Sequence, residues 1–143
     1  MAKRFSLGKK ERLKSRKLID QLFSEGKNFV VSPYRVYYLF SKPGSHPIPF
    51  DSYREPIQFG VGVSGKNFKK AVDRNRIKRV TRETYRLQKI ELQEKLKEKH
   101  LQLNIFFIYT AKELPDFNML KEKLAVILNK LIQMIDENNS SNL

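Results

Sequence analysis

Between Lys66 and Lys89, in the run KNFKKAVDRNRIKRVTRETYRLQK, ten lysines and arginines stand against two acids, Asp73 and Glu83. The net charge of the stretch is +8. Placed on a helix, which turns about 100° per residue, the run sorts by chemistry. Arg74, Lys78, Arg82 and Arg86 recur at i, i+4 and form one stripe. Asn75 and Arg79 widen it, Arg76 marks its far border, and Tyr85 lies beside it. Ile77, Val80, Thr84 and Leu87 share the other flank and are the side expected to enter a core. Guanidinium forks match phosphate oxygens in pairs. A solvated helix face normally mixes signs at i, i+4. This one is almost wholly positive, and its charges repel one another until a polyanion neutralises them. The residue types and spacing therefore point to RNA or DNA binding. Lys66, Lys69 and Lys70 stand just ahead of the stripe and extend the candidate set.

A hydrolytic centre is a different matter. A protein nuclease needs a carboxylate cage for metal or a His/Glu acid–base pair. The two histidines, His46 and His100, fall in a loop and in a charged tract. Asp73 and Glu83 are ten residues apart and point to separate sides of the helix. Glu83, one turn from Arg79, suits a structural ion pair. GVGVSGK, at residues 60–66, has the look of a phosphate loop but lacks the spacing of one. We assign no catalytic residue and no metal ligand to this chain.

A chain of 143 residues fits one domain, 1–143, with an ordinary core. The total net charge of +14 is unevenly spread: residues 1–27 carry +6, and residues 90–143 are nearly neutral. Such a patterned footprint implies a localised anionic partner. There is no cysteine, hence no disulfide and no thiolate metal site. The basic N-terminus lacks an apolar core of the signal-peptide kind. The longest apolar runs, Ile105 to Tyr109 and Leu124 to Leu128, are far too short to cross a bilayer. A cytoplasmic protein is expected.

Secondary-structure signals surround the cationic stripe on both sides. Residues 1–14 are a basic arm without periodicity, able to order on RNA. Ser15 caps a short helix, RKLIDQLFSE, that Gly26 stops. Its apolar face holds Leu18, Ile19, Leu22 and Phe23, with Ile19 and Phe23 at the edge, placed to border a groove. Residues 28–32 suggest an edge strand. Arg35 to Ser41 alternates, with Val36, Tyr38 and Phe40 on one face and Tyr37 and Leu39 on the other. Residues 42–56 hold four of the six prolines and form a loop. Ile57 to Ser64 alternates cleanly, Ile57, Phe59, Val61 and Val63 inward. Gly60 and Gly62 on the other face mark a close approach, either tight packing or a flat floor for nucleotides. Residues 90–100 extend the central helix or form a short second one. Leu101 to Ala111 is a buried strand. Pro115 and Asp116 open a last helix with a core stripe of Leu120, Leu124, Ile127, Leu128, Leu131 and Ile135. Residues 138–143 read as a disordered tail. The order α-β-β-β-α-β-α is an α+β fold, a two-layer α/β sandwich on one four-stranded sheet.

The sequence VSGK (63–66), NFKKAVD (67–73) and RNRIKRVTRE (74–83) resembles the signature of the bacterial ribonuclease P protein family. The similarity extends upstream over ERLKSRKLIDQLFSEGKNF and downstream over the last strand and helix, with Gly65 replacing a usual lysine. The 42–56 loop and the 90–100 tract are insertions relative to shorter members. The resemblance implies a ribosomal S5 domain 2-like fold with a left-handed strand–helix–strand crossover, where physics alone favours a right-handed one. It implies a subunit of an endoribonuclease whose RNA partner holds the magnesium and performs the hydrolysis, the protein itself binding no cofactor. The partners so implied are that RNA, in a one-to-one complex, and precursor tRNA. By motif, Lys66, Arg74, Asn75, Arg76, Lys78, Arg79 and Arg82 bind RNA, and Phe23 and Tyr37 line a cleft for the tRNA 5′ leader. Ile19 stands where many members have an aromatic. This agrees with how single strands are held, on aromatic platforms beside a basic groove. Two rivals remain: a ribosomal-type structural RNA binder, which needs no exposed aromatic cleft, and a DNA regulator, for which no helix-turn-helix is visible.

Overall fold

The computed structural model describes residues 11–42 and 56–140. The expected loop, His46 included, thus falls mostly outside the described residues, as do residues 1–10 and 141–143. The elements run α1 (Arg16–Glu25), β1 (Lys27–Val31), β2 (Tyr34–Ser41), β3 (Ile57–Val63), α2 (Ala71–Gln88), α3 (Ile90–Glu98), β4 (Gln102–Tyr109) and α4 (Phe117–Ser140). One sheet has the order β1-β2-β4-β3. β1 and β2 are antiparallel, as are β2 and β4, whereas β3 and β4 are parallel, joined across α2 and α3.

Strand alternation divides the apolar residues between two faces. The larger core lies on the face carrying Val36, Ile57, Phe59, Val61, Ile105 and Phe107. Ile77 and Tyr85 of α2, Leu92 and Leu96 of α3, and the expected stripe of α4 from Leu120 to Ile135 close over it. Asp116 caps α4: its side chain accepts from the Met119 N–H at 3.1 Å. The smaller core lies on the opposite face, where Leu13, Leu18 and Leu22 gather with Ile19, Tyr37, Leu39 and Phe106. α1 covers that face only in part. Ser15 caps it, accepting from the Leu18 N–H at 3.3 Å. Gly26 ends it for want of room: a Cβ there would lie 2.9 Å from the Tyr38 carbonyl of β2 and closer still to that of Leu22.

Several expectations are corrected. The central helix begins at Ala71, so Lys66, Lys69 and Lys70 sit in the loop before it. Its buried arc is Ile77, Thr81, Thr84 and Tyr85, while Leu87 is 40% exposed. Contacts with the sheet set this rotation. The Thr81 hydroxyl hydrogen-bonds the buried Tyr34 hydroxyl at 2.6 Å, and Tyr85 lies on Phe59. Tyr85 is therefore core and not a neighbour of the cationic stripe. Of the two alternatives for residues 90–100, the short second helix is the one found, α3, and it starts directly after the buried Lys89. His100 ends that helix with φ of 56°, while the next N–H, of Leu101, closes back on Leu96 O at 2.9 Å. The arm expected over 1–14 is held to the body from Glu11 onward: Leu13 is buried and its N–H donates to Phe59 O at 2.9 Å. α4 continues through Ser140, inside the stretch expected to be a tail.

Candidate nucleic-acid interface

The cationic residues occupy one continuous tract, the 64–70 loop followed by the outward arc of α2. Lys66, Lys69 and Lys70 are exposed. Asn67 fastens the loop to the sheet, donating to Thr110 O at 3.3 Å. Arg74 fastens its other end: one guanidinium nitrogen donates to both Phe68 O and Lys69 O at 2.8 Å. The first arginine of the RNR motif thus braces the loop that presents the lysines. Asn75, Arg76, Arg79 and Arg82 are exposed, and Lys78 is half-buried. Burial, then the nearby Arg12 guanidinium, push the Arg82 pKa down. At the far end Arg86 closes on Glu83, Nη2 to Oε1 at 2.5 Å. That hydrogen bond holds the Glu83 carboxyl below the usual carboxylate range. The partner of Glu83 is therefore Arg86, not the expected Arg79, because an i, i+3 guanidinium reaches both carboxylate oxygens. The middle of the stripe, from Asn75 to Arg82, is left to face solvent.

The second feature is the uncovered part of the opposite sheet face. The Phe23 ring of α1 is 43% exposed and meets Tyr37 of β2 at 4.8 Å and Phe106 of β4 at 5.4 Å, both edge-on. Ile19 packs in the same cluster, half-buried. Phe106 was not singled out in the sequence, although its odd position in a strand whose Ile105 and Phe107 point inward was the available signal. It also explains the paired glycines. A Cβ on Gly60 would lie 2.6 Å from the Phe106 ring, and one on Gly62 would lie 3.0 Å from it. The close approach is that of an aromatic side chain, whose ring lies over both glycines of β3.

Among the described residues no three His, Cys, Asp or Glu side chains gather where one cation could bind. The donor set of the described residues does not fit a magnesium site. No helix of the described residues is long and apolar enough to cross a membrane.

The fold and these two surfaces define a class: a basic α+β protein with a cationic helix face on one side of its sheet and a partly exposed aromatic cluster on the other. The chain matches the family described as Ribonuclease P over residues 7–132. It is 40% identical over 120 residues to the ribonuclease P protein component of Porphyromonas gingivalis, spanning 84% of this chain and 82% of that one. It is 30% identical over 134 residues to the corresponding protein of Chlorobium phaeobacteroides, spanning 88% of each. The ribonuclease P protein of Thermotoga maritima superposes with a TM-score of 0.58 at 28% identity, covering 84% of this chain and 96% of that one. The chain belongs to the ribonuclease P protein family. Its role is that of protein subunit of the endoribonuclease that matures tRNA 5′ ends, in partnership with the ribonuclease P RNA.

Proposed function

We propose that the tract from Lys66 to Arg82 binds the ribonuclease P RNA and that the Phe23–Tyr37–Phe106 groove receives the single-stranded 5′ leader of precursor tRNA. The observation that carries this reading is the coexistence on one small body of an almost purely cationic helix face and a partly exposed aromatic cluster. Each supplies what the other lacks. Lysines and arginines neutralise phosphates without regard to sequence. Aromatic faces accept any base, because every base has a π-face. A leader whose sequence differs among tRNAs needs such tolerance. The chain's own residues bind and orient; hydrolysis and the magnesium it uses belong chiefly to the RNA. The complex is one protein to one RNA and works in the cytoplasm.

The test is reconstitution. Purified protein added to its cognate RNA restores leader cleavage at low magnesium and raises affinity for precursor tRNA above that for mature tRNA. Phe23→Ala removes the exposed ring, and stacking of this kind is worth about 1–3 kcal/mol per base. Loss of the precursor preference with an unchanged melting temperature supports the groove assignment. An unchanged preference refutes it.

A further inference from the structure

The N-terminal segment holds a buried charge pair that neither binding surface explains. Glu11 and Lys89 are both buried, and the Lys89 ammonium donates to Glu11 Oε1. Gln93 Nε2 donates to the same oxygen at 3.0 Å. Lys89 is the single residue between α2 and α3, so the contact joins residue 11 to the helical layer. Two residues on, Leu13 enters the smaller core on the opposite side of the sheet. The segment therefore crosses the open edge of β3, pinned at both ends. Desolvation largely offsets the attraction within a buried ion pair, so such a pair is a weak source of net stability. Its effect is geometric: only one placement of the segment satisfies both charges.

That placement fixes Arg12. Its backbone bridges Phe59 of β3 in parallel register, and its side chain is exposed. The Phe59 ring stacks on Tyr85, which is three residues from Arg82 on α2, so the segment runs alongside the cationic helix. The Arg82 guanidinium feels Arg12 as a like charge. Arg12, bridged to Phe59, and Arg82, one turn before the Tyr85 that stacks on Phe59, are both exposed on this edge of the fold, and guanidinium forks match phosphate oxygens.

We propose that Arg12 and Arg82 form a phosphate site for the bound RNA at the edge of β3, between the α2 tract and the aromatic groove, and that Glu11 and Lys89 are positioning residues that build it. The inference rests on the RNA-binding reading above and adds a site to it. It also makes an acidic residue favourable to polyanion binding, against the sign of its own charge.

The experiment measures binding of the full chain to a transcript of its ribonuclease P RNA across a salt series. Each lost phosphate contact lowers the slope of log affinity against log salt by about 0.7–0.9. Arg12→Gln lowers the slope by one such step. Glu11→Ala raises the net charge of the protein, yet lowers slope and affinity by the same step. The double variant Glu11→Ala/Arg12→Gln is no weaker than either alone. The swap Glu11→Lys/Lys89→Glu restores the slope. Hydrogen exchange at the Leu13 amide reports whether the segment has been released. Binding by Glu11→Ala that is as tight as wild type, with the segment released, overturns the positioning role. If Glu11→Ala does not fold, Arg12→Gln decides alone, and an unchanged slope overturns the site. A wild-type chain without salt-dependent RNA binding overturns the underlying reading, a result distinct from either.

Discussion

Tyr85 of α2 and Phe59 of β3 stack face to face, their centroids 4.1 Å apart and their planes 5° from parallel. This contact sets how α2 sits on the sheet, and hence which arc of the helix points outward. Among the described residues the buried Tyr85 hydroxyl has no hydrogen-bond partner, and burial pushes its pKa up. An unsatisfied buried polar group costs about 1–3 kcal/mol. Tyr85→Phe keeps the stack and removes the hydroxyl, so it is expected to raise stability by about 1 kcal/mol without altering RNA affinity. Tyr85→Ala removes the ring and is expected to cost about 3–5 kcal/mol. Denaturant titration measures both. A clear loss of stability in Tyr85→Phe shows that the hydroxyl is partnered after all.

Gly60 makes room for the Phe106 ring. A methyl group at 2.6 Å from the ring must displace it, and overpacking of this sort costs about 1–3 kcal/mol. Gly60→Ala is expected to lower the melting temperature and to weaken precursor binding, because the ring it displaces touches Phe23. Gly62→Ala, whose Cβ would sit at 3.0 Å, has the same effects but smaller. Gly60→Ala/Phe106→Leu recovers stability but not precursor affinity. Recovery of both separates Phe106 from leader binding.

Much of this organisation was legible in the residues. Period-two alternation in β2 and β3 placed Val36, Tyr38, Ile57 and Phe59 on one face correctly, because successive side chains of a strand point to opposite faces. The last helix was equally plain, its stripe from Leu120 to Ile135 repeating every three or four residues. The fine rotation of α2 was not legible. A helical wheel weighs Leu87 above Thr81, yet Thr81 is buried by its bond to Tyr34, 47 residues away. The Glu11–Lys89 pair was hidden for the same reason. Both residues stand in charged runs that read as exposed, and only tertiary contact brings them together. Phe106 in the groove became evident once β4 lay beside the glycines of β3.

Arg74 and Lys78 stand one turn apart in the cationic stripe, yet the structure gives them different work. Arg74 braces Phe68 O and Lys69 O, and Lys78 has no such bond to the backbone among the described residues. Arg74→Ala is expected to loosen the 64–70 loop and lower stability by about 1.5–3 kcal/mol, the worth of hydrogen bonds to a charged group. Lys78→Ala is expected to leave the melt unchanged and flatten the salt dependence of RNA binding by about one counterion. Arg82→Ala behaves like Lys78→Ala. Thermal melts paired with salt titrations separate the two roles. Equal salt slopes for Lys78→Ala and wild type remove Lys78 from the interface.

The last expectation is that no side chain of this protein performs the cleavage step. In-line hydrolysis of a phosphodiester needs an activated water and stabilisation of the charge that develops on the leaving oxygen. The cationic tract can stabilise charge but contains no evident base. Glu83 is bonded through both oxygens to Arg86, which keeps it ionised and lowers its basicity. Asp73 lies in the first turn of α2, where a negative charge favours the helix terminus. It is ten residues from Glu83, a rise of about 15 Å along a helix, too far for the two to share a metal ion. His100 occupies the left-handed turn that ends α3, a position determined by chain reversal. Asp73→Asn, Glu83→Gln, His46→Ala and His100→Gln are therefore each expected to leave the chemical step of the reconstituted holoenzyme within about tenfold of wild type, or about 1.4 kcal/mol in barrier. Single-turnover cleavage at saturating protein is the measurement, since it separates chemistry from binding. A loss of several orders of magnitude in any one variant, with RNA assembly intact, would place a catalytic group on the protein.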